Sequence, residues 1–168
     1  PRANGIIALG LREGDRLIRV TLTDGKSQML VASYNGKVVR FPEDTVRPMG
    51  RTATGVRAIK LDEDGKDCVV GMICVEEGSK DTVLVISDKG YGKRTMLDDE
   101  TGEPIYRITN RGGKGVKTMN ITDKTGNLIG MEAVNDEQDL MLITKSGTAI
   151  RMPMTSISIL GRATQGVK

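Results

Sequence analysis

A pattern Ser/Thr-x-x-Gly-x-x-x-Arg occurs three times in this chain, as Ser33–Arg40, Ser87–Arg94 and Thr144–Arg151. Each copy is followed by a second marker, Arg-x-x-x-Gly-Val, at Arg51–Val56, Arg111–Val116 and Arg162–Val167. The glycines of the first marker, Gly36, Gly90 and Gly147, are 54 and 57 residues apart. A repeat of that length is the signature of blades or solenoid units, each too small to close a core alone. It fixes the architecture more tightly than any local motif.

Each unit has a head and a tail. In the first head, Gln28 to Tyr34 is β-rich, Asn35-Gly36 predicts a two-residue hairpin turn, and Lys37 to Phe41 returns. Lys89-Gly90 and Ser146-Gly147 occupy the same turn. The tails open with aligned apolar runs at Gly5 to Leu11, Gly55 to Leu61 and Gly115 to Ile121; Leu17-Ile18, Val69-Val70 and Leu128-Ile129 then align as a further strand. Short β-rich and apolar runs without a 3.6-residue period predict an all-β array with about four strands per blade. The expected organisation is 1–26 as the tail of a preceding blade, 27–80 and 81–138 as blades, and 139–168 as an incomplete last blade. The chain, which starts at Pro1 inside a repeat, reads as a piece of a longer protein. The second head is six residues longer between its arginine markers, and the extra sequence falls in the loop-like Asp98–Glu103.

Composition removes several classes of function. The chain has no histidine and two cysteines, Cys68 and Cys74, which read as free thiols, so no metal site is expected. No run approaches the roughly 18 apolar residues of a membrane span, and no signal-peptide layout opens the chain. No Gly-x4-Gly-Lys-Ser/Thr supports nucleotide hydrolysis. Without histidine the usual general base is missing, and acidic runs such as Asp62-Glu63-Asp64 read as solvated turns, so no catalytic residue is assigned.

Charge follows the repeat. Residues 36–60 carry six basic and two acidic side chains, 89–117 seven and four, and 145–168 four and none. The tails reverse this, with eight acidic against two basic in 61–88 and five against one in 118–144. Heads that align around an axis would draw a basic band suited to a polyanion. Four aromatic residues, Tyr34, Phe41, Tyr91 and Tyr106, are too few for the stacking platforms that hold single strands. Phosphate contact along a duplex is what remains. A propeller used as a protein-interaction scaffold is the alternative from another class. Arg111-Gly112-Gly113-Lys114-Gly115 is the sharpest local feature: glycines admit close backbone approach to a phosphate beside two cations, although Gly115 also fits a strand-entry turn at the place held by Gly55 and Gly166.

Tyr34–Phe41, Gly90–Thr95, Ile157–Arg162 and Arg111–Gly115 together resemble the C-terminal domain of the bacterial DNA gyrase A protein, across essentially the whole chain. The resemblance implies a β-pinwheel, a propeller-like disc of Greek-key blades that exchange strands, of which this chain would be the C-terminal half. It implies wrapping of double-stranded DNA around a basic rim in support of ATP-dependent negative supercoiling. The implied partners are the N-terminal region of gyrase A and the gyrase B protein in a cytoplasmic, nucleoid-associated heterotetramer, with ATP and Mg bound elsewhere and no cofactor in this chain. The family's box, Gln-Arg-Arg-Gly-Gly-Lys-Gly, is matched only in its last five residues, since Thr109-Asn110 precede Arg111, and it lies in the second head rather than the first blade. The corresponding C-terminal domain of topoisomerase IV, which usually lacks an intact box, is the nearest alternative. The implied rim contacts are Arg40, Arg94 and Arg151, then Arg51, Arg111 and Arg162. Supporting charges are Lys37, Arg47, Arg57, Lys93, Arg107, Lys114, Lys117 and Lys168.

Overall fold

The computed structural model describes residues 4–168; the first three residues of the expected leading tail lie outside the described residues. Among the described residues there are nine strands, two short 3-10 turns, Glu43–Thr45 and Met154–Ser156, and no α-helix. Strands β1 (Gln28–Ser33) and β2 (Lys37–Pro42) make the first head hairpin, β4 (Thr82–Ser87) and β5 (Gly92–Met96) the second, and β8 (Asp139–Ile143) and β9 (Ala149–Pro153) the third. The tail strands β3 (Val69–Val75) and β7 (Leu128–Val134) pair antiparallel with β1 and β4. Three sheets result, ordered β3-β1-β2-β6, β5-β4-β7 and β8-β9, so the blades have four, three and two strands rather than a uniform four.

The hairpin turn is longer than Asn35-Gly36 predicts. Ala32 pairs with Val38, Gly36 N–H bonds Ser33 O at 2.9 Å, and Gly36 alone has positive φ, at 78°. This is a three-residue connection closed by a left-handed glycine, which keeps the strands' right-handed twist without forcing Asn35 into that region. Gly90 and Gly147 repeat it, each N–H reaching Ser87 O or Thr144 O.

The fourth strand of the first sheet, β6 (Val116–Lys117), comes from the second repeat and pairs with β2 through Lys37–Lys117 and Val38–Val116. The second sheet receives the same contribution as single bridges, with Val167 on Gly92 and Ile159 on Arg94. Sheet composition therefore crosses the expected boundary at residue 80, and neighbouring blades are tied by exchanged strand.

Blades stack face to face. Leu30, Ala32, Val38 and Ile73 of the first sheet meet Val83, Val85, Leu128 and Met131 of the second. Leu84 and Val134 on the other face of the second sheet meet Met154 and Ile157. Burial on both faces explains why β1 and β4 are nearly continuous apolar runs, whereas β8 alternates between exposed and half-buried positions. The leading tail forms no strand over residues 4–26, contrary to the expectation at Leu17-Ile18, and Ile6, Leu17, Val20 and Leu22 are exposed. No hairpin precedes it among the described residues to offer an edge. Among the described residues no helix is long and apolar enough to cross a membrane.

Candidate nucleic-acid interface

The second-marker loops lie on one edge of this array. Strands β3 and β7 contact each other and form the inner side, so β6 and the loop before it mark the outer edge of the first sheet. Each loop is pinned to the tail of the preceding repeat by the same backbone bond: Gly10 N–H to Ala53 O at 3.1 Å, Lys60 N–H to Gly113 O at 2.8 Å, and Asn120 N–H to Thr164 O at 3.0 Å. Gly112 N–H adds a bond to Ala58 O. The marker arginines reinforce the seam. Arg111 donates from Nε to Thr45 O at 3.0 Å and from Nη1 to Arg57 O, and Arg162 donates from Nη1 to Lys117 O at the equivalent position. Both are half-buried, so each serves the fold while showing part of its guanidinium to solvent.

Around these seams Arg47, Arg51, Arg57, Arg107, Lys114, Lys117 and Lys168 are exposed. The bonds just described bring Arg57, Arg111 and Lys114 together across the first seam, and Lys117 beside Arg162 across the second. Sequence reasoning missed Lys60, which is exposed and bonded through its backbone to the Arg111–Gly115 loop, and Arg12, which lines a cleft with Arg57 and Lys60. The signal for Lys60 was available, because it stands where Gly10 and Asn120 stand in the other tails.

Three of the expected contact residues, Arg40, Arg94 and Lys93, are buried. Arg40 is 6% exposed; its Nε donates to Gln28 Oε1 and its Nη1 to Asp98 Oδ1 and to Leu97 O and Tyr106 O. Arg94, 4% exposed, bonds Ile157 O and Asp136 Oδ1 in the same way. Both lie mid-strand on the face that meets the following blade, and they clamp it. Arg151 occupies the equivalent place in the third hairpin, where no blade follows among the described residues; it is exposed and paired with Asp139. Lys93 has no exposed surface at all, and burial pushes its ammonium down to about 8, with the nearby Arg162 charge acting in the same direction. Lys37 is half-buried and bonded to Asp62, whose carboxyl it holds below the usual carboxylate range.

The acidic side chains gather at strand ends. Glu76, Glu77, Asp81, Asp98–Glu103, Asp136 and Glu137 lie where β3, β5 and β7 finish and β4 and β8 start. The sheet ends are thus acidic and the outer edge basic. Among the described residues no group of three or more Cys, Asp or Glu residues is arranged to hold a metal ion.

An all-β array of stacked, strand-exchanging blades belongs to the propeller-like class of folds. A family model described as DNA gyrase C-terminal domain, beta-propeller, matches residues 1–24, 28–76, 81–99, 106–135 and 138–168, and the chain belongs to that family. The DNA gyrase A protein of Staphylococcus aureus strain MRSA252 is 47% identical over 165 residues, covering 98% of this chain and 18% of the relative. The chain therefore spans under a fifth of that relative's length. Among solved structures, the C-terminal domain of DNA topoisomerase IV aligns with a TM-score of 0.84 at 22% identity, covering 95% of this chain and 47% of that one. The DNA gyrase A C-terminal domain aligns at 0.83 and 24%, covering 98% and 53%. These two likenesses establish the shared fold.

Proposed function

We propose that this chain binds duplex DNA along its outer edge and bends it, as the wrapping part of a type II topoisomerase of the gyrase kind. The observation that carries the reading is the recurrence of exposed cations at backbone-pinned seams: Arg57, Lys60, Lys114 and Arg107 around the first, Lys117 and Lys168 around the second. Pinned loops hold the charges in register with the blades, and a phosphate backbone laid across successive blades meets them at regular intervals. Acidic sheet ends favour the edge over the faces.

Aromatic placement supports duplex over single strand. Tyr106 and Phe41 are buried in the core, and Tyr91 lies under the Lys124 ammonium at 5.8 Å, leaving no row of stacking platforms. The 47% identity to a gyrase A protein supports the gyrase reading over topoisomerase IV. The chain would act with the N-terminal region of gyrase A and the gyrase B protein in the bacterial cytoplasm. ATP and Mg would be used there and not here.

The test is binding of the chain to duplexes of about 30 and 150 base pairs and to a single strand across stepped salt. Tight duplex binding with a gain in length and a steep salt slope supports the reading. Weak binding, equal for single strands and indifferent to salt, overturns it and favours the scaffold.

A further inference from the structure

We propose that Lys93 is a positioning residue for the second seam, an ammonium buried beneath the Gly161–Thr164 loop that fixes the loop and the Arg162 it presents. The observations are geometric. Lys93 Nζ donates to Gly161 O at 2.6 Å, to Arg162 O at 2.6 Å and to Thr164 Oγ1 at 3.1 Å. Those acceptors use all three ammonium protons, and every one belongs to a single loop of the next repeat. The loop is attached to β5 on both sides, through Arg94 N–H to Ser158 O and Leu160 N–H to Arg94 O before it, and through the paired bonds of Gly92 and Val167 after it. Between these anchors it bulges outward with the carbonyls of 161 and 162 turned in toward Lys93.

The first seam is built differently. Val39 stands where Lys93 stands, and it cannot donate a hydrogen bond. The corresponding loop, Arg111–Gly115, is held by Arg111 on Thr45 O and Arg57 O and by Gly112 N–H on Ala58 O. A loop that folds onto its neighbour through glycines needs no charge under it. The Gly161–Thr164 loop lacks the Gly-Gly pair and has Lys93 instead.

The charged and titratable surroundings are few. Arg162 sits on the clamped loop and repels the ammonium. Tyr106, fully buried with its hydroxyl bonded to Thr118 at 2.7 Å, is kept neutral by burial above its ordinary range. Val85 faces Lys93 from β4, and Arg94, next to it on β5, points to the opposite face and is paired with Asp136. Burial brings the Lys93 ammonium down to about 8, so holding the charge beneath the loop carries a desolvation cost that its three hydrogen bonds offset.

The role in DNA contact rests on the rim reading above, so the experiment separates the two. Amide hydrogen exchange in the DNA-free chain is compared for wild type, Lys93→Met and Arg162→Ala at pH 7, corrected for intrinsic exchange. The expected result is at least tenfold faster exchange at residues 162–165 in Lys93→Met, with the β1–β2 amides unchanged. Unchanged exchange at 162–165 in Lys93→Met overturns the proposal. Affinity for a duplex of about 150 base pairs is then measured for both single variants and the double variant. Non-additive losses support positioning through Arg162. A loosened loop with unaltered affinity in every variant overturns the contact by Arg162, not the clamp.

Discussion

Gly115 is the most demanding position in the Arg111–Gly115 loop, and its substitution separates structural glycines from approachable ones. Its φ is +73°, and a Cβ built there would lie 2.4 Å from Val38 O and 2.7 Å from Val38 C. The obstacle is backbone, so it cannot rotate away. For Gly115→Ala the left-handed conformation costs about 1–2 kcal/mol. Relief of the overlap requires β6 to part from β2, which sacrifices the Lys37–Lys117 and Val38–Val116 pairing and the Thr118 N–H to Gly36 O bond, each worth about 1 kcal/mol. The total is about 3–5 kcal/mol. Gly112 has a similar φ, +80°, but the nearest atom to its Cβ would be Arg57 O at 3.5 Å, an ordinary contact. Gly112→Ala should cost only the conformational part, about 1–2 kcal/mol. Urea denaturation followed by circular dichroism distinguishes them: with a slope of about 2 kcal/mol/M, the two midpoints should differ by roughly 1 M. Equal midpoints would refute the argument that β6 is wedged against Val38 by the absence of a side chain at Gly115.

The buried arginines give a second contrast. Arg40→Met strands the Leu97 and Tyr106 carbonyls and leaves Asp98 without its cation, for a loss of about 3 kcal/mol in denaturation, whereas the exposed Arg151→Met should change stability by under about 0.5 kcal/mol. Comparable losses would contradict the assignment of Arg40 to the blade interface. Rim charges behave oppositely: Arg57→Gln, Arg107→Gln and Lys114→Gln should leave the urea midpoint unchanged, weaken duplex binding alike for all sequences, and each lower the salt slope by up to about one unit. A change in base preference among these variants would count against backbone recognition.

The repeat made the blade order, the head hairpins and the strands at Val69 and Leu128 legible, because short apolar runs and fixed glycines are local properties of the chain. Strands that depend on a distant partner were not legible. Leu17-Ile18 aligns with Val69-Val70 yet forms no strand, since an edge must be offered by another hairpin; Val116-Lys117 does pair, and with the preceding repeat. The Asn35-Gly36 turn was located correctly but is one residue longer than expected. Periodic arginines proved ambiguous. Arg40 lies between Val39 and Phe41 in the middle of a strand buried on both faces, and that setting, readable in the sequence, marks an interior clamp rather than a rim contact. Recurrence in a repeat protein reports whatever every blade needs, including its joint to the next. The exposed charges Arg57, Lys60 and Lys114 recur less strictly, because the backbone bonds that pin the seams do not depend on side-chain identity.

Hydroxyl-radical footprinting of a duplex of about 150 base pairs bound to the chain tests the central claim most directly. A duplex bent along a basic edge presents the same side of its backbone once per helical turn, so protection should recur about every 10 base pairs. That pattern should fade when Arg57, Lys60 and Lys114 are replaced together by glutamine. A short block of continuous protection, or a periodic pattern indifferent to those replacements, would contradict an outer edge that carries the DNA.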